Sequence, residues 1–382
     1  MPAVFKYYLT VLLLSLAGAT AFAQTEQKTD SILKAAKLDI YEKPDSVIKI
    51  ADSVFNSKSS SAKIKAQAQM LISNAYSAKR DYRKALKILL GANKLAKNSG
   101  DISTQAKILN GIGVVYQQLK MYDKAMESLD ECDRLIDNNE FEDATFLRAT
   151  NHAVRGLIYK EQLSCDLAIS FFDKAINEYK KLNSLREQPN LSITSYNKGY
   201  CCLVIPDYDK AIQSFNEAVA YAENANAVSL KAFAKKGLAE VYTRQGNYKG
   251  AIQMLEEAYD LSKDAGDLIL LRTIYEGLAN NYLALNDKDK YLFYHKLFLR
   301  NQAVIKKSER SAVSDSIDEL THKNAEKLDA LIRRYYSLTA ILILLIIFAV
   351  IVIFRYQKRA VKSLEMLKNQ VETVKKERRN SY

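Results

Sequence analysis

One five-residue pattern recurs along the middle of the chain and limits the possible folds more than any other feature. Each copy has a small residue, a tyrosine three positions later, an alanine after nine more, a large apolar residue after four and a small residue after three. The four complete copies are Ser73, Tyr76, Ala85, Leu89 and Ala92; Gly113, Tyr116, Ala125, Leu129 and Cys132; Gly156, Tyr159, Ala168, Phe172 and Ala175; and Ala239, Tyr242, Ala251, Leu255 and Ala258. A further copy at Gly199 replaces the tyrosine by Cys202, and a sixth opens at Ala279 and then decays.

The spacing of these copies and the composition indicate paired helices. Successive copies begin 40, 43, 43, 40 and 40 residues apart, and the 382-residue chain has only 12 glycines and 4 prolines. This scarcity of Gly and Pro favours long helices over a turn-rich β-sandwich. A small residue on one helix lets another helix approach closely, and a large residue fills the space beyond it. We therefore predict an all-α fold of stacked helical hairpins.

The pattern resembles the signature of the tetratricopeptide repeat (TPR) family, which places a small residue and Tyr on the first helix of a hairpin and Ala, a large apolar residue and Ala on the second. The resemblance implies a TPR solenoid over residues 24–300, with about six to seven repeats of which the first and last are degenerate. The period exceeds the family's usual length of about 34 residues. Longer helices or longer loops must therefore separate the units.

The sequence also predicts where several second helices begin. A tyrosine lies three positions before the repeat alanine at Tyr82, Tyr122, Tyr208 and Tyr248. Asp207 is a favourable helix-start residue at such a site. Before the first clear copy, Pro44 opens a segment with apolar residues on one face, which we interpret as the second helix of a degenerate leading repeat.

An apolar segment at the N-terminus predicts export. Lys6 precedes an apolar run over residues 9–19, and Ala21, Phe22 and Ala23 come before the polar Gln24. This order is typical of a signal peptide, here residues 1–23. An uncleaved anchor is the alternative, but the run is shorter than a bilayer requires.

A second apolar segment predicts a single transmembrane helix over residues 338–354. Its seventeen residues carry no charge and are polar only at Thr339. Basic residues flank it on both sides, and Tyr335, Tyr336 and Tyr356 lie where an aromatic belt is expected. A buried core helix is the alternative. With the signal peptide leading, we expect an inner-membrane protein whose N-terminal region is periplasmic and whose tail is cytoplasmic.

The segments on either side of the span have different characters. Residues 301–337 are charged and free of Gly and Pro, which predicts a long helical connector. Residues 355–382 hold nine Lys or Arg against three Glu, so the tail carries half of the net charge of +12. The rest of the chain lacks the basic stripe that nucleic-acid binding requires. Coiled-coil spacing in the tail allows a homodimer, and an interfacial amphipathic helix explains the same apolar residues: Ala360, Leu364, Leu367, Val371 and Val374.

The chain shows no motif for catalysis, cofactors or metals. Its three histidines are far apart, and it has no Gly-rich phosphate loop, paired helical histidines or serine elbow. We therefore predict neither an enzyme nor a cofactor. Of the four cysteines, Cys132 and Cys202 occupy core positions of the repeat. Buried free thiols are favoured over disulfides there, although an exported domain permits disulfides.

The TPR resemblance places ligands along the face formed by the first helices. Carried over position by position, it gives these groove candidates: Asn74, Asn110, Gln117, Lys160, Tyr196, Tyr200, Lys236 and Arg244. A solvated polar face is the alternative reading of the same residues.

The whole layout resembles membrane-anchored periplasmic TPR sensor and regulator proteins of gram-negative bacteria, in which an output domain follows the coiled coil. The expected function is therefore binding of a protein or peptide partner in the periplasm and relay of that event across the inner membrane. A 28-residue tail is shorter than the roughly 40 residues of an autonomous domain. Output must then pass through dimerisation or a cytoplasmic partner, unless the sequence is a truncated regulator. A passive envelope scaffold is the alternative function.

Overall fold

The computed structural model describes residues 26, 28–37, 39–40, 43–263 and 267–379, so the predicted signal peptide lies outside the described residues. The described residues form helices and turns, without a strand, as the all-α prediction requires. The helices are α1 Pro44–Asn56, α2 Ala62–Ala78, α3 Tyr82–Ser99, α4 Ile102–Gln118, α5 Tyr122–Asp137, α6 Ala144–Glu161, α7 Cys165–Lys181, α8 Gln188–Val204, α9 Tyr208–Asn224, α10 Val228–Arg244, α11 Tyr248–Ser262, α12 Leu268–Ala284 and α13 Lys288–Arg379. A short 3₁₀ turn, Leu185–Glu187, precedes α8.

The chain divides into two units, Met1–Asn301 and Gln302–Tyr382. In the first unit, α2, α4, α6, α8, α10 and α12 carry the first half of the repeat pattern and are called the A helices. Helices α3, α5, α7, α9 and α11 carry the second half and are called the B helices. Each of these B helices packs on the A helix before it and on the A helix after it, and consecutive A helices also touch one another. The A helices therefore form a continuous layer.

The B helices begin where the tyrosines predict. Helices α3, α5, α9 and α11 start at Tyr82, Tyr122, Tyr208 and Tyr248, and α7 starts at Cys165, the equivalent position. Asp81, Asp207 and Asn247 cap three of these helices, because each side chain accepts a hydrogen bond from the backbone N–H three residues later. The segment that opens at Pro44 is helical: α1 begins there and packs against α2, and its assignment to a degenerate leading repeat stays a prediction.

The large repeat residue of each B helix lies in a gap made by small residues. Phe215 is fully buried between two glycines, Gly199 of its own hairpin and Gly237 of the next. A methyl group at Gly237 would lie 2.4 Å from Phe215 Cε1, and one at Gly199 would lie 2.9 Å from the same atom. Such distances are far inside van der Waals contact, so only glycine fits.

The two longer repeats owe their length to loops. The A and B helices contain 15 to 18 residues each, which explains why even the 40-residue repeats exceed the family's usual length. The repeats that span 43 residues have six-residue connections, residues 138–143 before α6 and residues 182–187 before α8. The second of these contains the 3₁₀ turn.

Each A helix is followed by a tight turn with a left-handed residue at one fixed position. Lys120 has φ 58° and Gly246 has φ 76°, each four residues after the repeat tyrosine. The next backbone N–H donates to the carbonyl of that tyrosine, as from Met121 to Tyr116 at 2.9 Å. This is the hydrogen bond of a Schellman helix end, which glycine fits best. Other non-glycine residues at this position are Arg80, Leu163 and Asn286, and also Pro206, four residues after Cys202, with a smaller φ of 29°.

The second unit consists of the α13 residues that follow Asn301. It contains a stretch, Leu331–Thr373, that is long and apolar enough to cross a membrane and that no other described residues bury. The predicted span over residues 338–354 falls inside this stretch. The apolar residues with coiled-coil spacing in the tail form the predicted tail seam. Three of them, Leu364, Leu367 and Val371, are exposed on the single chain. The coiled coil stays a prediction.

We predict that Gly237→Ala lowers the free energy of unfolding by about 1–3 kcal/mol, because the added methyl group overpacks the Phe215 ring. Gly91→Ala is the matched control. Gly91 is also inside a helix, but the methyl group added there would lie 3.7 Å from its nearest neighbour, Gln69 Oε1. That control should be neutral or gain up to about 1 kcal/mol from helix propensity. Denaturant unfolding of the detergent-solubilised chain, followed by circular dichroism, measures both. Equal effects of the two substitutions would contradict the interlock, as would failure of Phe215→Leu to relieve Gly237→Ala.

We also predict that Lys120→Gly stabilises the array by about 1 kcal/mol, because it removes the cost of a left-handed side-chain-bearing residue. The reciprocal control is Gly246→Ala, which should cost a similar amount at the equivalent turn. Both positions are exposed, so neither substitution changes the packing of the core. The same unfolding measurement applies, and a loss of stability in Lys120→Gly would refute the turn assignment.

Candidate functional site

A cavity of about 330 Å³ lies on the A-helix layer, between α6, α8 and α10 and beside the start of α7. Its lining residues are Lys160, Leu163, Cys165, Tyr196, Tyr200, Cys201, Val204 and Lys236. Four of these, Lys160, Tyr196, Tyr200 and Lys236, are groove candidates from the sequence. The A helices of three consecutive hairpins therefore contribute to one site.

The other groove candidates lie outside this cavity. Asn110 is buried and donates a hydrogen bond to Asn151 Oδ1 at 2.8 Å, which links α4 to α6. Gln117 is also buried and donates to Glu161 Oε1 at 2.8 Å. Both side chains therefore connect neighbouring A helices. Asn74 is half-buried on α2, and Arg244 is exposed at the end of α10.

The cavity opens where the array is locally looser. Helices α6 and α8 pack least closely of the consecutive A helices, and the six-residue connection with its 3₁₀ turn is inserted just before α8. The other six-residue connection, before α6, precedes the closest packing between consecutive A helices, so connection length alone does not set this distance.

Aromatic rings form one wall of the cavity. Tyr196 and Tyr200 are four residues apart on α8 and therefore lie on the same face of the helix. Their rings meet edge to face at a centroid distance of 4.9 Å, and Tyr200 packs edge to face on Phe215 at 5.2 Å. The ring of Phe233 extends this cluster from α10, 6.0 Å from Tyr196. The wall is anchored on the same Phe215 that the two glycines enclose.

A hydrogen-bonded triangle holds the Tyr200 hydroxyl. Lys236 Nζ donates to the Tyr200 hydroxyl oxygen at 2.7 Å and to Glu240 Oε2 at 3.0 Å. The Tyr200 hydroxyl in turn donates to Glu240 Oε2 at 3.0 Å. Burial, together with the nearby Tyr196 and Glu240, raises the pKa of Tyr200. The phenol therefore stays protonated at neutral pH and acts as a fixed donor.

Lys160 enters the cavity from the opposite side. Its ammonium donates to Asn197 Oδ1 at 2.6 Å and lies 5.6 Å from the centre of the Tyr200 ring. Burial lowers the pKa of Lys160 below the ordinary lysine value. This is the expected effect of taking a cation out of water.

The cysteines at the site are buried free thiols. Cys165 and Cys201 line the cavity, while Cys132 and Cys202 pack in the repeat core. Burial raises the pKa of Cys201, and it raises that of Cys132 to about 11. These thiols are therefore weak nucleophiles at neutral pH. The described residues contain no group of three or more His, Cys, Asp or Glu placed to hold a metal ion.

Sequence reasoning missed the cavity's apolar rim and its supporting polar residues. Leu163, in the turn after α6, is 83% exposed, and Val204, the last residue of α8, is 62% exposed. Asn197 and Glu240 fix the two lysines. The only available signal was their position next to candidate residues on α8 and α10, which does not distinguish them from ordinary surface residues.

Comparisons with known proteins agree with this fold. Two family models, both described as tetratricopeptide repeat, match residues 106–139 and 231–290. A comparison with curated protein sequences gives no match. Among solved structures, the chain is similar to PH0952 from Pyrococcus horikoshii, a signal transduction ATPase with numerous domains and a tetratricopeptide repeat sensor. That pair has 16% identity and a TM-score of 0.56 over 71% of this chain, which spans only 41% of PH0952.

Two further solved structures match less closely. Aspartyl phosphate phosphatase F from Bacillus subtilis has 19% identity and a TM-score of 0.49, with 65% of this chain and 70% of that chain covered. BtubC from P. vanneervenii has 15% identity and a TM-score of 0.47, with 63% and 92% covered. At these identities the likeness concerns the fold alone. The two family matches assign residues 106–139 and 231–290 to the tetratricopeptide repeat family, and the five-residue signature and the stacked hairpins repeat the same pattern along the rest of the array.

Proposed function

We propose that the repeat array binds a protein or peptide partner on its A-helix layer, centred on the cavity between α6, α8 and α10. The observation that carries this proposal is the make-up of the cavity. It combines an aromatic wall, two lysines and an exposed aliphatic rim within one concave site. Sites of this kind, mostly apolar with a few fixed polar groups, are typical of ligand recognition. Helical repeat arrays present such surfaces to proteins and peptides.

We further propose that the chain is anchored in the inner membrane by one helix, with the array in the periplasm and the tail in the cytoplasm. The apolar stretch of α13 and the basic residues that follow it support this arrangement. In this proposal partner binding in the array changes the connector, and the span relays the change to the tail. A homodimer through the tail seam or a separate cytoplasmic partner would receive it.

The alternative function is a passive envelope scaffold. In that case the array holds its partners, and the tail only attaches to anionic lipid through its basic residues. The nine Lys or Arg of residues 355–382 favour such lipid contact. The two functions share the partner-binding cavity and differ in whether the tail carries output.

Photocrosslinking tests the partner-binding surface. A photoreactive amino acid placed at Val204, on the cavity rim, should crosslink to a discrete partner in cells that express the full chain. The matched control is Asn216 on α9, which is exposed on the B helix of the same hairpin. Crosslinks at Val204 and not at Asn216 are expected, detected as shifted bands on denaturing gels. Equal or absent crosslinking at both positions would refute binding at the A-helix layer.

Replacement of residues 355–382 by a neutral helical sequence of equal length distinguishes relay from scaffold. A relay protein should keep the Val204 crosslink and lose its output, so that gene expression in the exchanged strain matches that of a deletion strain. A scaffold should keep both the crosslink and the wild-type expression profile. A reporter fused after residue 382 checks that the exchanged tail stays on the cytoplasmic side. Preserved output would refute the relay.

A further inference from the structure

The two lysines of the cavity differ in what neutralises them. Lys236 forms an ion pair with Glu240 at 3.0 Å, so its charge is compensated within the protein. Lys160 instead donates to the neutral amide oxygen of Asn197 at 2.6 Å. Among the described residues no carboxylate lies within ion-pair distance of Lys160. The cavity therefore contains a lysine that forms no direct ion pair with a described carboxylate.

Two other half-buried lysines of the A-helix layer do form ion pairs, unlike Lys160. Lys198 on α8 has a side chain only 19% exposed and pairs with Asp173 at 2.6 Å. Lys235 on α10 has a side chain 16% exposed and pairs with Glu257. A cation withdrawn from water to this extent needs a counter-charge. At these neighbouring positions a carboxylate of an adjacent B helix supplies it.

The carboxylate nearest to Lys160 in sequence is already engaged. Glu161 accepts a hydrogen bond from Gln117 on Oε1 at 2.8 Å and from the Tyr122 hydroxyl on Oε2 at 2.6 Å. These bonds hold Glu161 toward α4 and α5. Glu161 attracts the Lys160 ammonium electrostatically, but its two oxygens are already used, so a direct ion pair to Lys160 is left for a ligand to form.

The rest of the cavity indicates what accompanies the missing anion. Leu163 and Val204 are aliphatic, largely exposed and line the same space as Lys160. The Tyr200 ring lies 5.6 Å from the ammonium and presents an apolar face beside it. A volume of about 330 Å³ holds one or two side chains and excludes a folded domain. The complementary ligand is thus a carboxylate next to an aliphatic group.

We infer that the cavity binds an acidic side chain, aspartate or glutamate, from an extended segment of the partner protein, whose adjacent aliphatic residue packs on Leu163 and Val204. The carboxylate accepts a charge-assisted hydrogen bond from Lys160 Nζ, which keeps its bond to Asn197. This inference rests on the proposed partner-binding function and names the chemistry that the partner must present.

Selection from a random peptide library tests the inference. Phage-displayed dodecapeptides are selected against the full chain in detergent, and the enriched sequences are read out. We expect Asp or Glu beside Leu, Ile or Val in the enriched set. The selected peptides should bind the Lys160→Met variant about ten-fold to a hundredfold more weakly, which corresponds to loss of one charge-assisted hydrogen bond. Lys198→Met removes a paired lysine outside the cavity and should leave their affinity unchanged.

Two further measurements separate lost recognition from lost folding. Lys160→Met should unfold at an unchanged or higher urea concentration, because it removes a desolvated charge, whereas Lys198→Met should unfold at a lower one. Val204→Asp alters only an exposed rim residue and places a negative charge beside the ligand carboxylate. Val204→Asp should lower the affinity for the acidic peptides by a similar factor, while the urea midpoint of unfolding stays constant.

The outcomes distinguish this inference from the proposed function. Enriched peptides that compete with one another and are blocked by Val204→Asp, but that lack acidic residues or bind Lys160→Met unchanged, would overturn the acidic ligand and leave groove binding intact. Failure to enrich any peptide, together with absent crosslinks at Val204, would overturn both.

Discussion

Close contact between small and large residues across helices is the constraint on which the array depends. Phe215 fills a gap that exists only because glycine stands on both sides of it, at Gly199 and Gly237. The same arrangement recurs with other residue pairs: Gly113 on Leu129, Gly156 on Phe172 and Gly277 on Leu255. Each contact sets the distance between two helices, so the stack of hairpins is the sum of these local distances.

The cavity follows from this packing and from one local exception to it. Phe215 supports the tyrosine wall from behind, so the core contact also positions the site. Helices α6 and α8 approach each other less closely than the other consecutive A helices, and the space between them remains open.

Much of the fold was predictable from sequence because its determinants are local or periodic. The start of α9 at Tyr208, its cap at Asp207 and the approach of Gly156 to Phe172 all follow from residue types at fixed spacing. The left-handed turn position escaped detection because only Gly246 among its members is a glycine. Lys160, Tyr200 and Lys236 line one cavity, and their role as ligand-binding residues stays a prediction. What could not be predicted was which lysine lacks a direct ion pair, since Asp173 and Glu257 reach their lysines only through the tertiary stacking.

The cavity has a mechanical consequence because its walls belong to three separate hairpins. In a stacked array each hairpin touches only its neighbours, so bending is distributed over many small hinges. A molecule seated between α6, α8 and α10 would bridge two of those hinges at once. The middle of the array would then bend less when the cavity is occupied than when it is empty.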